Sequence, residues 1–365
     1  MKDLNFPVFK TKIEGVTEWF DSAHHKTFNL NDPAGRRRYF DAKAGTEIEK
    51  LRNYLANNTF VAFLLGKKNS GKGTYSKLFM EAVGEGHASH ISVGDITRDV
   101  FASLADETKK TDLTAFLEKN YRGFHSLDEI VELVRNANQS TLWPSELILA
   151  LIKFEISKRP KKAIFVDGFP RALDQITYSL FLKEIIGYRD DPDFLVFIDV
   201  PEVVIDERIK YRRVCPKCQS PRNLRLLATK EVGYDESAKE FYLMCDNPSC
   251  DGSRMIAKPG DELGIEPIRQ RLEVDDQVFK QLLNLQGIPK VYLRNSVPVE
   301  KALEYIDAYE ITPGYSYELD PQTKKVKTIE SPWTIKDDNG IESYSLLPAA
   351  VVIALIKQTA HVLGL

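Results

Sequence analysis

Residues 60–80 read Phe-Val-Ala-Phe-Leu-Leu-Gly-Lys-Lys-Asn-Ser-Gly-Lys-Gly-Thr-Tyr-Ser-Lys-Leu-Phe-Met: an apolar run that stops at Gly66 and a helical pattern that begins near Lys72. Strand, glycine loop and helix follow one another without a spacer. Four residues separate Gly66 from Gly71, and Lys72, Gly73 and Thr74 follow. This matches a phosphate-binding loop, except that a glycine precedes the hydroxyl residue. Glycines let the backbone curl so that successive amides at Asn69, Ser70 and Gly71 point inward. The helix N-terminus adds partial positive charge, and Lys72 reaches the outer phosphates. A polyphosphate is the expected occupant; the competing reading is a Gly/Lys-rich surface turn.

A loop of this kind needs a buried parallel sheet beneath it, and the rest of the chain supplies one. Residues 90–98 read as a short strand turning into a helix, 162–171 as a strand ending in Asp167 and a Gly/Pro turn, and 194–200 and 289–294 as two more strands. Helical patterns fill the intervals, with Phe116, Leu127, Ile130, Val131 and Val134 at helical spacing and another helix at 147–156 behind Pro144. Short apolar strands alternating with helices argue for an α/β fold, a parallel sheet covered on both faces. Asp167, at the carboxyl end of its strand beside the loop, is placed to hold the waters of a magnesium ion.

With 365 residues and 43% apolar content the chain has ample core for one large or two to three ordinary domains. A formal charge of −3 disfavours a nucleic-acid partner. The start carries no basic, apolar leader, and no window reaches the ~18 uninterrupted apolar residues of a membrane span, so a cytoplasmic protein without membrane partners is expected. The apolar stretch at 348–356 reads as a buried helix. In residues 1–58, Phe6, Phe9, Val16, Trp19 and Phe20 suggest an ordered appendage. Thr46 is the expected cap of a helix carrying Ile48, Leu51 and Leu55, and His24, His25 and the run Arg36 to Arg38 read as solvated surface.

All four cysteines lie between residues 215 and 250, as Cys215-x2-Cys218 and Cys245-x4-Cys250. Two such knuckles can set four thiolates at tetrahedral corners, which suits zinc; iron takes the same ligands. A closed four-ligand site leaves no open coordination position, so the metal is expected to be structural. Between the knuckles, 224–227 and 241–244 are expected to pair as strands, with Gly233, Tyr234 and Asp235 near the turn.

Four motifs in order resemble those of the adenylate kinase family: Gly-Lys-Gly-Thr at 71–74, Ser-Val-Gly-Asp-Ile-Thr-Arg at 92–98, Asp-Gly-Phe-Pro-Arg at 167–171 and Asp-Glu-Arg-Ile-Lys-Tyr-Arg-Arg at 206–213. The resemblance covers roughly residues 60–310. It implies a five-stranded parallel core at 59–310, a helical monophosphate-binding segment at about 93–160, and a lid at about 212–261 that is of the zinc-binding type. Residues 1–58 and 311–365 are then extensions. The resemblance further implies Mg-dependent transfer of the γ-phosphoryl group of ATP to AMP, giving two ADP. Lys72 becomes the phosphate-bridging lysine within the ATP loop, and Arg98 and Arg171 clamp the acceptor phosphate. Arg208 lies against the adenine of ATP, and Arg212 and Arg271 neutralise the transferred group. Gln175 reads the adenine edge of AMP, with Gly168 beside it. The chain departs from the family in carrying Val93 where a small hydroxyl residue is usual and Trp143 where a small apolar residue flanks the acceptor base. Its first lid arginine has no clear match, Lys258 being nearest and Arg254 second.

Such transfer needs no covalent intermediate and no base, because the acceptor phosphate is already anionic; alignment and charge neutralisation suffice. Three other readings remain: a kinase for UMP, CMP or GMP, a nucleotide-binding regulatory protein without turnover, and a zinc-ribbon nucleic-acid reader. Acids at Glu231, Asp235, Glu236 and Glu240 offset the lid's basic residues and argue against the last. Beyond Ile311, a strand, a turn and one or two further strands at 328–345 are expected before the closing helix. That extension is expected either to pack on the first 58 residues or to make a homodimer contact, a monomer being the default.

Overall fold

Alternate residues of the strand Val61–Leu65 (β1) feed two different cores, as the two-residue period of a strand requires. Ala62 and Leu64 join one apolar cluster, and Val61, Phe63 and Leu65 the other. This is the computed structural model of the chain, which describes residues 6–12, 28–103, 106–136, 143–159, 162–171, 173, 175–180 and 192–365. Helix α1 (Pro33–Leu55) precedes β1; then come α2 (Lys72–Val83), β2 (Ala88–Ser92), β3 (Ala163–Asp167), β4 (Asp193–Asp199) and β10 (Lys290–Arg294). They form a five-stranded sheet in the order β10-β4-β1-β3-β2, every neighbouring pair parallel. The expected α/β class is therefore observed. Because helices cover both faces, the central strand β1 is buried throughout, and the edge strands β2 and β10 are buried at two positions each.

The first face holds Phe60, Phe79, Phe165 and Phe194 in mutual ring contact, under α1, α2 and the closing helix α11 (Pro348–Val362). The expectation of a buried helix from Pro348 is met: Ala349 through Ile356 are all buried. That helix sits in the main core, beside sheet residues Ala62, Val196 and Leu293. The second face carries α3 (Val93–Ser103), α4 (Glu107–Asn120), α5 (Leu127–Asn136) and α6 (Ser145–Ser157), with Val278, Phe279 and Leu282 of α9 (Arg269–Leu283). Phe6 packs into this layer against Phe197, Phe279 and Tyr292.

Two local expectations are corrected. The first helix begins at Pro33, with Asp32 accepting from the Gly35 amide at 2.8 Å, and only kinks at Ala44; Thr46 is not its start. Between the cysteine knuckles the ladder is β7 (Val232–Asp235) with β8 (Glu240–Leu243). Asp235 accepts from the Ser237 and Ala238 amides and turns the chain after Gly233 and Tyr234, which are strand residues. Residues 224–227 form a turn instead, because the Asn223 side chain accepts from the Arg225 and Leu226 amides at 2.9 Å each. Val16, Trp19, Phe20, His24 and His25 lie outside the described residues. Arg37 and Arg38 are exposed as expected, whereas Arg36 is partly buried, its guanidinium donating to Glu81 at 3.0 Å and to Leu30 O at 3.2 Å.

The segment after Ile311 makes a hairpin, β12 (Pro313–Leu319) with β13 (Val326–Pro332). It then forms two strands, β14 (Thr334–Lys336) and β15 (Glu342–Ser345), and β15 pairs with β11 (Ser296–Pro298). The hairpin touches the cysteine-bearing segment: the Tyr315 amide donates to Arg225 O at 2.7 Å and Tyr317 Oη to Leu224 O at 2.5 Å. Near the N-terminus, the Lys43 ammonium is buried between Asp307 and Glu310, and Thr11 Oγ1 donates to Glu310 at 2.6 Å. Both ends of the chain are thus fastened to the central fold.

Candidate active site

The loop leaves the carboxyl end of β1, the central strand, where an open parallel sheet leaves a crevice for ligands. Gly66 admits no side chain, since a Cβ there would meet Ile198 O and Ser70 Oγ at 2.9 Å. Asn69 and Gly71 are left-handed, at φ 65° and 98°, which turns the amides toward the helix end. Gly73, by contrast, has room: its Cβ would find only His90 Cε1, at 3.8 Å. Thr74 is exposed at the first turn of α2.

Lys72 Nζ donates to the carbonyls of Gly66 at 2.8 Å and Lys67 at 3.0 Å, and lies 3.8 Å from Asp167 Oδ1. Burial pulls its ammonium below the ordinary lysine range, against the opposing pull of Asp167 and Asp275. Asp167 itself is held in register opposite Leu64 and Ser92 at the end of β3.

Other cations gather on the same place. Burial lowers the Lys68 ammonium, and Arg271, Lys258, Arg212 and Arg171 lower it further, so all four act on it across the site. Burial and then Arg271 also lower Arg171. Among the described residues, the Arg171 Nε is buried without a hydrogen-bond partner, as is Ser70 Oγ in the loop. Buried polar atoms left open beside crowded like charges are the expected state of a site built for an anion.

The geometry brings together most of the residues expected from sequence. Arg98 and Arg171 converge over Gly94, whose Cβ would lie 3.7 and 3.6 Å from their guanidinium nitrogens; Arg98 is exposed and pairs with Asp95. Gly168, at φ 85°, backs directly onto the Arg171 guanidinium, 2.5 Å from where a Cβ would stand. Gln175 is buried, and its Oε1 accepts from the Arg171 amide at 2.7 Å. Val93 and Trp143 are both buried in the second core. Arg271 lies 3.9 Å from Asp275. Arg212 is held in a two-point pair with Asp261. Arg208 sits apart from this group, its Nη2 3.5 Å from Asn295 Oδ1.

Two residues of the site were not singled out from sequence. Asp275 accepts from the Lys68 amide at 3.2 Å and so ties α9 to the loop; its spacing of four from Arg271 was the available signal. Lys68, in the loop itself, is the other. Of the two candidates for the lid cation, Arg254 is paired with Asp235 at 2.7 Å and stacked over Tyr242, whereas the charge of Lys258 reaches Lys68.

The four cysteine sulfurs lie within 4.8 Å of one another, with Cys218 and Cys245 at 3.6 Å. A tetrahedral ion with bonds of about 2.3 Å needs sulfurs ~3.8 Å apart, so the cluster fits a metal. The apolar cluster around Cys215, Cys245 and Cys250 adds only Leu243 and Met255 as fully buried members, too small a core to hold this segment by itself.

The comparison with known sequences decides the family. An adenylate kinase of Clostridium acetobutylicum is 31% identical over 245 residues, covering 67% of this chain and 89% of that protein. The chain belongs to the adenylate kinase family. An adenylate kinase of Hydrogenobaculum sp. is 30% identical over 220 residues, covering 60% of the chain and 84% of that protein. The adenylate kinase of Thermotoga petrophila is 32% identical over 169 residues, and the chain spans 64% of its length. No protein-family model matches the chain. Among the described residues no helix is long and apolar enough to cross a membrane.

Proposed function

We propose that the chain transfers the γ-phosphoryl group of Mg-bound ATP to AMP, giving two ADP. The observation that carries this reading is the convergence of Lys68, Lys72, Arg171, Arg212, Lys258 and Arg271 on one loop, with Arg171 Nε unpartnered. An acceptor phosphate needs no deprotonation, so the site requires charge and alignment only. The loop amides and Lys72 hold the donor phosphates, Arg98 and Arg171 the acceptor phosphate, and Arg212 and Arg271 the group in flight. Arginine serves here because its planar fork binds oxygens in pairs and stays charged in a closed site. Asp167 would hold the waters of magnesium, which supplies further neutralisation when bound.

AMP is favoured as acceptor by Gln175. With its oxygen engaged by the Arg171 amide, its NH2 group remains to donate to a base edge, and adenine offers a ring nitrogen acceptor there. We further assign residues 59–310 as the kinase unit, with a monophosphate-binding segment at 93–160 and a lid at 212–261. Zinc is assigned to Cys215, Cys218, Cys245 and Cys250, where four thiolates replace the core that the lid lacks. The test is a coupled assay for ADP with MgATP and AMP, CMP, UMP or GMP in turn. Turnover with AMP alone supports the reading; turnover with another monophosphate overturns the acceptor. Absence of turnover with all four overturns the activity.

A further inference from the structure

One residue of the phosphate loop is not turned toward the site. Lys67 lies one position after Gly66, and its side chain is only 1% exposed. Its Nζ is 2.9 Å from Asp338 Oδ2 and 3.0 Å from Glu202 Oε1. An ammonium withdrawn this far from water requires such partners, and together they neutralise it. Lys67 is therefore an anchor and adds no charge for a phosphate to use.

What it anchors is the loop backbone. The Lys67 carbonyl accepts from the Ser70 amide at 3.1 Å and from Lys72 Nζ at 3.0 Å, so one peptide group fixes both the curl of the loop and the resting position of the phosphate-bridging lysine. Asp338 comes from the turn between β14 and β15, some 271 residues away in the chain. The turn is itself rigid: Asp337 Oδ1 accepts from the Asn339 amide at 3.0 Å and the Ile341 amide at 2.9 Å. Arg294, at the end of β10, holds Asp337 Oδ2 at 3.1 Å. The second oxygen of Asp338 accepts from the Glu202 amide at 2.7 Å, at the start of the helix Glu202–Lys210 (α8) that carries Arg208. One carboxylate thus joins the donor-phosphate loop to the helix expected to flank the donor base.

We infer that Asp338 is a positioning residue for the donor nucleotide: through Lys67 it sets the loop geometry for MgATP, and the C-terminal segment is part of the donor site. This rests on the functional reading above. Because the pair lies on the donor side, its loss acts on MgATP and spares the acceptor.

The test uses the full-length, metal-loaded chain. Binding of the non-hydrolysable analogue AMP-PNP with magnesium is measured by calorimetry, and KM for each substrate by steady-state assay. Asp338→Asn, which keeps the shape and loses the charge, is expected to weaken AMP-PNP binding and raise KM for MgATP roughly ten-fold, with KM for AMP within about two-fold. Lys67→Met reads the pair from its other side and is expected to give the same pattern, and the double variant to be no worse than Lys67→Met. Wild-type affinity for AMP-PNP in both variants, or equal loss for both substrates, overturns the inference while leaving the functional reading standing. A wild-type chain that does not bind AMP-PNP overturns the functional reading and the inference with it.

Discussion

Arg212 and Asp261 face each other fork to fork, Nε to Oδ2 at 2.7 Å and Nη2 to Oδ1 at 2.6 Å, across the base of the cysteine-bearing segment. The arginine expected to neutralise the transferred phosphoryl group is thus held by a carboxylate. A phosphate group can present two of its oxygens to the same guanidinium fork. Arg212→Lys keeps the charge and loses the fork. It is expected to lower kcat by roughly 10²-fold or more with a Tm close to the parent, measured by the coupled assay and a thermal scan. An activity within a few-fold of the parent would show that Arg212 does not meet the transferred group.

Among the described residues, Lys72 makes two carbonyl contacts and a distant approach to Asp167. Little of the fold depends on it, whereas the donor phosphates are expected to. Lys72→Ala should therefore abolish turnover, by roughly 10³-fold or more, with an unchanged circular-dichroism spectrum. A variant that retains most of the parent's turnover refutes the assignment of the loop.

The cysteine cluster leads to a metal-removal experiment. Cys245→Ser or exhaustive chelation is expected to release one equivalent of zinc, measured by elemental analysis, and to lower the first thermal transition. The Tyr317 contact to Leu224 should pass part of that loss to the C-terminal hairpin. Unchanged metal content in the variant would exclude the four-thiolate site.

Burial, reinforced by Asp338, pushes the Asp199 carboxyl up to about 6, while Lys67 and Arg294 pull it down. In the unfolded chain the same group ionises near 4. The folded state then binds more protons between these two values. Its contribution to stability is complete below about pH 4 and is lost as pH rises through about 6, a span of about 3 kcal/mol. Asp199→Asn should remove this dependence, so that the variant gains on the parent between pH 4.5 and 7.5 in urea unfolding. A difference between the two proteins that is the same at both pH values counts against it.

Ile353, on the closing helix, is fully buried in the main core. Ile353→Ala should cost about 2–5 kcal/mol in urea unfolding, as for any core position, if the helix is integral to the fold. A loss below about 1 kcal/mol would mean that the helix packs loosely.

The parts of the site legible in the sequence are those with a local cause. The loop announces itself because the glycines, Lys72 and the helix start are contiguous, and the cysteine knuckles because ligand spacing is short. The strands β1, β3 and β4 show because a strand buried on both faces is apolar along most of its length, whereas β2, with Ser89, His90 and Ser92, and β10, with Lys290 and Arg294, carry polar residues at partly exposed positions. The 224–227 expectation failed because Asn223, directly before that stretch, accepts from the Arg225 and Leu226 amides; the Thr46 expectation failed because the helix already starts at Pro33, where Asp32 accepts from the Gly35 amide, and kinks at Ala44. Polar residues of this kind are common in the chain, and nothing in their local context says which will act.

The sequence by itself determined the α/β class, the glycine loop with its lysine and the four clustered thiols, since each follows from residue types at short, fixed spacing; the arginine set was expected only through the resemblance to the adenylate kinase family. Only the tertiary structure decided that Asp338 holds Lys67, that Asp261 holds Arg212, that Arg254 pairs with Asp235 while the charge of Lys258 reaches Lys68, and that the closing helix lies in the main core. Each of these joins residues that the path of the chain alone brings together. A carboxylate and an ammonium some 271 positions apart carry no mark of each other until the sheet order and crossovers set them side by side.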